Sequence, residues 1–374
     1  MQRFDVLVVG GGPAGSATAH HLASAGMSVL LADRATFPRD KPCGGGLTTR
    51  AFLQCPVDPT PVVEEEVDLV ELRFRYAGSV VRRAQAPVIR MTQRRRLDAF
   101  LLDAAREAGV TVREGVRVEL SDGARVGGEP VAASVVVGAD GSNGISGRAL
   151  GLGNDIVRGV ALEGNVGYDR VERERYARRA VIELADIPGG YGWVFPKGDH
   201  VNVGVGAWEQ EGPRLRDHLR RVCEAHGLDS DELSEVRGHR LPLRRAATRI
   251  VSDRALLVGD AAGLIYPVSG DGMYECFLSA RLASSSIVEL LNGRGADLTT
   301  YATALDAALS PLHRASWILK RALDRWPRSS WALARTQLVW VSVEKLLLAE
   351  LGAPRDQRGV ARVPLRGLEL LGRL

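Results

Sequence analysis

The chain has 374 residues, of which 45% are apolar and 25% are charged, and its formal net charge is +4. These proportions are ordinary for a soluble globular protein. The length predicts more than one domain, because single hydrophobic cores rarely grow beyond about 250–300 residues. No apolar run reaches the ~18 residues that a membrane-spanning helix needs, which argues against an integral membrane protein.

A glycine-rich motif lies almost at the N-terminus. Residues 4–9 form an apolar, β-branched run that predicts a strand, and a helical pattern follows the sequence GGGPAG to about Gly26. The spacing G-x-G-x-x-G at a strand–helix junction permits a tight turn, a close approach to a pyrophosphate, and packing of helix on strand. The helix N-terminus offers N–H groups and a positive dipole end to the phosphates. The residues expected to contact a dinucleotide are Gly10, Gly12, Pro13, Ala14 and Gly15.

A second predicted strand covers residues 28–32 and ends at Asp33, 23 positions after Gly10. An acidic side chain at this place accepts hydrogen bonds from a ribose diol. Arg34, the next residue, is included in the same predicted contact. With strand, helix and acidic residue in register, dinucleotide binding is a specific prediction.

The middle of the chain alternates between strands and helices. In order, the predicted segments are a glycine-rich loop at 36–50, strands at 67–77 and 79–84, a helix from Arg94 to about Ala108, a polar β-meander at 113–133, and a buried strand ending at Asp140-Gly141. We interpret Asp140 as a structural link between loops and not as a direct cofactor contact. Arg95 and Arg96 fit a solvated helix start.

Residues 188–206 carry the pattern P-x-x-Y-x-W-x-F-P, then seven residues, then G-x-G. Tyr191, Trp193 and Phe195 are spaced by two, so on a strand they project from one face. Turn residues at 197–199 precede an alternating run at 200–205, which indicates an antiparallel hairpin. By themselves the aromatic residues fit either a packed core or the wall of a pocket.

The hairpin belongs to a predicted sheet over residues 159–206. An amphipathic helix is predicted over 213–226, and residues 241–243 lead back to the first domain. Residues 255–273 then read ALLVGDAAGLIYPVSGDGM, a buried strand that ends in Gly259-Asp260, followed by glycines that open a helix.

An N-terminal G-x-G-x-x-G with the segments 134–142 and 255–273 downstream resembles the aromatic hydroxylase superfamily of flavoproteins. The resemblance implies FAD as the cofactor. In that superfamily the aspartate matching Asp260 contacts the ribityl and pyrophosphate region. The helix matching 272–283 points its N-terminus at the flavin edge where negative charge gathers on reduction. The residues placed at the cofactor by this segment are Gly259, Asp260, Gly270, Gly272 and Met273.

Within the superfamily, residues 1–300 most resemble the geranylgeranyl reductase family, whose members saturate isolated prenyl double bonds. The resemblance is carried by the aromatic hairpin, by the loop FPRDKPCGGG at 37–46 and by the segment 259–273. It implies that Cys43, Gly44 and Gly45 lie beside the flavin and that Arg94 lies against the cofactor. The residues expected to form the substrate wall are Tyr191, Trp193, Phe195 and Pro196. Cys43 and Tyr191 are the candidate proton donors, and a thiol that merely packs is the alternative for Cys43.

The chain departs from the family pattern after Asp140-Gly141. Gly144 and Gly147 take the places of a serine and of the first of two arginines, so Arg148 stands alone. The arginine-bearing segment has been linked to nicotinamide docking in hydroxylases. The electron donor is therefore left open between NAD(P)H and another reductant. The usual G-E-G-I is Gly270-Asp271-Gly272-Met273, a milder change.

The predicted fold is α/β, a Rossmann-type FAD-binding domain with an inserted antiparallel β-sheet substrate domain and a C-terminal helical appendage. The predicted boundaries are 1–66, 94–158 and 244–300 for the FAD-binding domain, 67–93 and 159–243 for the substrate domain, and 301–374 for the appendage.

The appendage is helical in pattern from Pro311, is broken at Pro327, and holds four of the six tryptophans. Residues 310–374 contain twelve Lys/Arg and five Asp/Glu, a local charge of +7. Tryptophan interleaved with arginine suits an anionic membrane surface, and an ordinary helical cap is the alternative. No nucleic acid is expected, because no binding motif accompanies the charge.

The cysteines and histidines show no ligand spacing, so no metal site is predicted, and the cysteines are expected to be free thiols. Only residues 1–3 precede the first strand, which leaves no room for a signal peptide, and a cytoplasmic location, possibly with peripheral membrane association, is expected. The predicted function is an FAD-dependent reductase acting on a lipophilic substrate. The alternatives are a flavin monooxygenase and a redox-neutral flavoprotein.

Overall fold

The structure is a computed structural model that describes residues 1–121, 123–184, 186–245 and 248–350. Its strands, in chain order, are β1 (Gln2–Val9), β2 (Val29–Ala32), β3 (Gly46–Thr48), β4 (Glu65–Val67), β5 (Leu69–Phe74), β6 (Gly78–Arg83), β7 (Ile89–Met91), β8 (Thr111–Arg113), β9 (Val118–Glu119), β10 (Ala124–Val126), β11 (Glu129–Gly138), β12 (Val157–Gly167), β13 (Arg179–Leu184), β14 (Tyr191–Pro196), β15 (His200–Trp208), β16 (Ser234–Leu243) and β17 (Ala255–Leu257). Its α-helices are α1 (Pro13–Ser24), α2 (Thr49–Phe52), α3 (Arg94–Glu107), α4 (Ser146–Ala149), α5 (Leu215–Ala225), α6 (Met273–Leu291), α7 (Thr299–Arg325), α8 (Pro327–Ala334) and α9 (Gln337–Leu347).

The first sheet has the order β8-β2-β1-β11-β10-β9, with β17 beside β11. The strands β8, β2, β1, β11 and β17 are parallel, and β9 and β10 extend the sheet in the antiparallel sense. Alternate residues of β1 face opposite layers. Val6 and Val8 pack against α1, α3, α6 and α7, whereas Leu7 and Val9 pack under the β-meander. Burial on both faces explains why the second half of the strand, residues 6–9, is uniformly apolar.

The second sheet has the order β16-β12-β15-β14-β13-β5-β6, with every pair antiparallel except β13 and β5. Its outer face packs against α5 through residues such as Val194, Val203 and Leu219. The three-stranded sheet β3-β7-β4 connects the two domains. The α/β fold with an inserted, largely antiparallel sheet and a helical C-terminal region confirms the predicted fold class.

Two elements differ from the sequence predictions. The strand β16 begins at Ser234, although only residues 241–243 were assigned to this stretch, as a return segment. The helix α7 begins at Thr299 and runs through Pro311 to Arg325, so the proline lies inside the helix and not at its start. Tyr301, Leu305 and Leu309 on its first half belong to the core beneath the first sheet.

Candidate active site

The G-x-G-x-x-G turn lies between β1 and α1 at the carboxyl edge of the parallel strands, where α/β sheets bind ligands. Gly10 has a φ of +107°, which disfavours any side chain, and a Cβ there would lie 2.5 Å from the Ala139 carbonyl oxygen. A Cβ on Gly15 would lie 1.8 Å from the Gly10 oxygen. Gly12 is different, since its Cβ would meet only an Arg39 guanidinium nitrogen at 3.4 Å. Gly10 and Gly15 are therefore required by packing, and Gly12 keeps the helix N-terminus open.

Asp33 follows β2 at the same edge. Its Oδ2 atom accepts a hydrogen bond from the Gly11 N–H at 2.6 Å, and Oδ1 accepts one from the Ala35 N–H at 2.7 Å. The carboxylate is thus held beside the glycine turn, with remaining lone pairs for a diol. Arg34 is exposed to solvent.

The segment after β17 meets the N-terminus of α1. A Cβ on Gly259 would lie 2.7 Å from the Ala14 Cβ, so the two backbones touch. Asp260 forms an ion pair with Lys41 at 3.1 Å, and His239 approaches the same carboxylate oxygen at 3.8 Å. Burial opposes ionisation of Asp260, but the charges of Lys41 and His239 prevail and hold its pKa well below the usual range. The sequence predictions missed both Lys41 and His239 as partners.

The helix α6 begins at Met273, directly beside Asp260. Gly272 is its N-cap, and a Cβ there would lie 3.6 Å from an Asp260 oxygen. Asp271 accepts a hydrogen bond from the Met273 N–H at 2.9 Å, and burial raises the pKa of Asp271 to about 6. A Cβ on Gly270 would find nothing closer than 3.9 Å. Open backbone at the start of α6 is what a ligand at the helix N-terminus requires.

The inner face of the second sheet carries the aromatic residues of β14. The centroids of Tyr191 and Trp193 lie 6.0 Å apart, and those of Trp193 and Phe195 lie 6.2 Å apart. A Cβ on Gly204 would lie 2.1 Å from the Trp193 ring, so the indole lies across β15 where the G-x-G pattern removes the side chain. The Trp193 Nε1–H donates to Asn202 Oδ1 at 2.8 Å. The pairing of β14 with β15 therefore fixes the position of the Trp193 indole. Pro196 pairs with Val201 at the end of the hairpin.

The loop with Cys43, Gly44 and Gly45 lies against this aromatic face. A Cβ on Gly44 would lie 3.0 Å from the Phe195 ring and 3.5 Å from Trp193 Nε1. The buried Lys197 ammonium donates to the Gly44 carbonyl oxygen at 2.6 Å and to that of Thr92 at 2.8 Å. Lys197, which sequence reasoning treated as a turn residue, thus ties the loop to the end of the hairpin.

Cys43 is half-buried, and its Sγ atom accepts a hydrogen bond from the Gly45 N–H at 3.4 Å. The Cys43 N–H donates to Glu163 Oε1 at 2.6 Å. Glu163 lies on β12, and burial raises the pKa of its carboxyl to about 7. The sequence predictions missed Glu163; the available signal was an acidic residue at an inward position of the strand.

The Tyr191 hydroxyl donates to the Ser269 carbonyl oxygen, which joins the hairpin to the segment before α6. Burial raises the pKa of Tyr191, and the nearby charges of Asp271 and Cys43 act in the same direction. The hydroxyl is therefore neutral and its proton is engaged with a backbone carbonyl.

Arg94 is buried and forms two hydrogen bonds with Asp98, at 2.6 and 2.8 Å. Burial opposes the charge, but Asp98 outweighs it and raises the pKa of Arg94. Arg39 from the loop reaches the same carboxylate at 3.0 Å. The Arg94 guanidinium, which is predicted to contact the cofactor, is therefore already paired with the Asp98 carboxylate.

Asp140 has a structural role, as the sequence interpretation expected. Its Oδ2 atom accepts hydrogen bonds from the N–H groups of Ile145 and Ser146 at 2.7 and 2.9 Å, at the start of α4. A Cβ on Gly144 would lie 2.1 Å from the Asp140 Cγ. The glycine that replaces the family serine therefore leaves room for this capping carboxylate.

The tryptophans of the C-terminal region divide into two groups. Trp317 stacks on Trp208 with ring centroids 6.1 Å apart, and Trp331 stacks on Phe74 at 5.4 Å. Trp340 is buried, whereas Trp326 is 56% exposed. Residues 351–374, which carry part of the predicted appendage and its charge, lie outside the described residues. Within the described residues, no helix combines the length and apolar character needed to cross a bilayer.

The residues present fit an FAD. The glycine turn, Asp33, Asp260 and the start of α6 converge at one edge of the first sheet, and a Cβ at Gly12 or at Gly270 would meet no atom closer than 3.4 Å. The aromatic face and the Cys43 loop meet Gly270 through Tyr191, whose hydroxyl would lie 3.9 Å from a Cβ there. These residues would hold a dinucleotide along that edge, next to the aromatic face.

Residues 3–308 match the model of the FAD binding domain family. The chain is 30% identical over 355 residues to a geranylgeranyl diphosphate reductase of Synechocystis sp., which covers 86% of this chain and 85% of that relative. It is 32% identical over 322 residues to a menaquinone reductase of Mycobacterium tuberculosis, covering 78% and 77% of the two chains. It also resembles a solved geranylgeranyl bacteriochlorophyll reductase-like protein of Thermoplasma acidophilum, with a TM-score of 0.81 and 23% identity over 98% of this chain and 100% of that chain. At that identity the structural likeness shows the fold alone.

Proposed function

The chain belongs to the geranylgeranyl reductase family of FAD-dependent oxidoreductases, and from this premise we propose that it saturates carbon–carbon double bonds of a prenyl or related lipophilic substrate. The observation that carries the proposal is the meeting of the aromatic face with the Cys43 loop. Relatives named as reductases of geranylgeranyl diphosphate and of menaquinone support an isoprenoid chain as the reacting group. The assay described below identifies the isoprenoid and counts the double bonds that are reduced.

FAD would be held by the glycine turn, Asp33, Asp260 and the start of α6, and reduced FAD would supply a hydride. An isolated double bond has no carbonyl to polarise it, so hydride addition leaves cationic character on the other carbon. The faces of Trp193 and Phe195 stabilise such charge through their quadrupoles and exclude water. Cys43 is the proposed proton donor to that carbon. Tyr191, whose proton is engaged with Ser269, is proposed to position the wall and remains the second donor candidate.

The test is an anaerobic incubation of the purified FAD-bound protein with dithionite and a panel of prenyl lipids. The expected result is a mass gain of two hydrogens per reduced bond in at least one lipid. Heat-inactivated protein with free FAD is the control. Absence of any reduced product across prenyl diphosphates, prenyl alcohols and isoprenoid quinones would contradict the proposal.

A flavin monooxygenase is the second candidate, because that class shares the fold. It predicts oxygen uptake in step with NADPH oxidation and product, whereas a reductase works best without oxygen. Turnover that needs no reductant would indicate a redox-neutral flavoprotein instead. Oxygen electrode traces with and without substrate separate the three classes. Replacing NADPH with another electron donor tests which reductant the protein uses.

We further propose that the protein collects its substrate from an anionic membrane surface. Support comes from the exposed apolar side chains of the C-terminal helices, which are Trp326, Leu333, Leu338 and Val343. Arg321, Arg325 and Arg328 are exposed nearby in the chain. Each cation near such a surface contributes about 1 kcal/mol before salt screening. Trp340 is buried and Trp317 stacks on Trp208, which restricts the proposed contact to α8, α9 and their junction with α7.

Co-sedimentation with vesicles tests this proposal. Binding to anionic vesicles should exceed binding to neutral ones and should fall as salt rises. Leu333→Ser with Leu338→Ser should weaken it, and Arg325→Gln with Arg328→Gln should reduce its salt dependence. Truncation after Ser310 is a poor test, since it cuts α7. Equal binding to both vesicle types, or none, would make the C-terminal helices a structural cap.

A further inference from the structure

The carboxyl group of Glu163 lies on the same face of the second sheet as the aromatic residues of β14. In the register of the second sheet, Glu163 pairs with Gly204 on β15, and Gly204 pairs with Trp193 on β14. Residues paired in this way point to the same face. Since Gly204 has no side chain, only the indole of Trp193 fills the space between the carboxyl and β14.

The carboxyl is bound to the loop that carries the candidate thiol. Glu163 Oε1 accepts from the Cys43 N–H at 2.6 Å, and this nitrogen is three covalent bonds from Sγ. Accepting one hydrogen bond leaves the second carboxyl oxygen free to carry a proton. The pair is brought together across 120 positions of sequence, so the contact is tertiary and not an accident of chain proximity.

We propose that Glu163 supplies the proton consumed in each double-bond reduction, acting through Cys43; this rests on the proposed function. The S–H bond of Cys43 breaks as a C–H bond forms at the carbon opposite to the hydride. In the same step the O–H bond of Glu163 breaks as the S–H bond re-forms, and the carboxylate afterwards takes a proton from water. Reduced FAD, when bound, would supply the hydride, so the double bond gains one hydride and one proton, and charge balances.

The charges around the carboxyl allow it to hold a proton at neutral pH. Burial raises the pKa of Glu163, and Asp40 in the loop acts in the same direction, whereas the hydrogen bond from the Cys43 N–H and the charges of Lys197 and Arg94 lower it; the resulting pKa is about 7. Arg237 and His239 on β16 occupy neighbouring positions of the same face. An acid with a raised pKa is protonated below that value and loses its proton as pH rises through it. The rate of single-turnover flavin oxidation by substrate should therefore fall above pH 7.

The test compares the FAD-bound wild type with Glu163→Gln, whose amide oxygen can still accept from the Cys43 N–H but which has no proton to give. We expect flavin oxidation by substrate to slow by about 10²-fold in the variant, and its decline near pH 7 to disappear. Glu224→Gln is the matched control, because Glu224 is an exposed residue of α5 on the opposite face of the sheet. FAD content should be unchanged in both.

Difference infrared spectroscopy of the FAD-bound protein gives a readout that does not depend on turnover. A protonated carboxyl band should vanish as pH rises through about 7 in the wild type and in Glu224→Gln. In Glu163→Gln the component that titrates near 7 should be absent, whereas the component of Asp271, whose pKa is about 6, should remain. If the wild type reduces no prenyl lipid, the proposed function fails, while the infrared titration still reports on the carboxyl.

Three results would overturn the inference. One is a Glu163→Gln protein with the wild-type rate and pH profile. Another is a rate lowered equally at every pH with the profile retained, which indicates a purely structural role. The third is a carboxyl that titrates near the ordinary glutamate value. If Glu163→Gln fails to bind FAD, Glu163→Asp replaces it, and it must keep the decline with pH at a lower plateau.

Discussion

The two halves of the site are built by different means. The cofactor half consists of turns that follow β1, β2 and β17, and each turn is a short stretch of contiguous sequence. The substrate half consists of one sheet face, on which Trp193, Asn202 and Glu163 come from three different strands. In the first half glycine is needed for backbone conformation and backbone contact. In the second half Gly204 is needed because its missing side chain makes room for an indole.

This difference predicts how substitutions separate. A change in the cofactor half should alter flavin binding first, and a change in the substrate half should alter turnover with the flavin retained. Four experiments, from the largest expected effect to the smallest, would establish or break that division.

Gly15→Ala should have the largest effect, because its Cβ would lie 1.8 Å from the Gly10 carbonyl oxygen. We expect a cost at or beyond the upper end of the about 1–3 kcal/mol typical of overpacking, with loss of FAD and of soluble protein. Gly12→Ala is the matched variant, since its Cβ meets only an arginine tip at 3.4 Å. It should keep the melting temperature of the apoprotein and lose FAD affinity. Equal destabilisation by both changes would contradict the distinction.

Trp193→Ala should lower alkene reduction by about 10²-fold or more while the folded protein keeps its FAD. Truncating a buried tryptophan costs about 3–5 kcal/mol of stability, so Trp193→Phe is needed beside it. The phenylalanine variant should fold nearly normally and still be slower, because it fills less of the wall. The measurements are flavin-to-protein ratio, melting temperature and product formation. Parallel loss of flavin and activity would mean that the aromatic residues are simply core.

Asp33→Ala should weaken FAD binding by about 1–3 kcal/mol, because a hydrogen-bond acceptor for the ribose is lost. Asp5→Ala is its control. The Asp5 carboxylate also accepts from a backbone N–H, that of Ser28 at 2.8 Å, but at the opposite end of β2. Titration of apoprotein with FAD should show weaker binding for Asp33→Ala alone. The same affinity in both variants would place the ribose elsewhere.

Gly204→Ala should have the smallest effect of the four when it is made together with Trp193→Ala. Alone, it forces the Trp193 indole away from a Cβ only 2.1 Å distant, and should cost about 1–3 kcal/mol. In the background of Trp193→Ala the same change should be nearly neutral. A double-mutant cycle on the free energy of unfolding measures the coupling. Additive effects would show that the glycine does not serve to seat the indole.

The cofactor half could be predicted from sequence because its determinants are local. The turn at Gly10, the place of Asp33 and the start of α6 at Met273 each follow from a few consecutive residues. The projection of the three aromatic residues from one face of a strand also followed from spacing alone. What spacing cannot give is register, and register decides that Trp193 lies over Gly204 and that Glu163 lies beside Cys43.

Physical reasons also explain why two further elements were not predicted correctly from the sequence. The strand β16 is an edge strand, largely exposed from Ser234 to Arg240, so it lacks the apolar alternation that indicates a strand. In α7, the sequence prediction began the helical pattern at Pro311. Burial of Leu305 and Leu309 in the core carries the helix through that position instead.

The helix α7 connects the core under the first sheet with the aromatic hairpin of the second sheet. Its 27 residues span about 40 Å, from Tyr301 in the core under the first sheet to the aromatic hairpin. There Lys320 donates to the Gly189 carbonyl oxygen at 2.5 Å, and Asp324 accepts from the Gly189 N–H at 3.1 Å. Moving the second sheet away from the first domain therefore requires α7 to bend or both of these hydrogen bonds to break. The C-terminal region thus braces the frame of the site in addition to covering it.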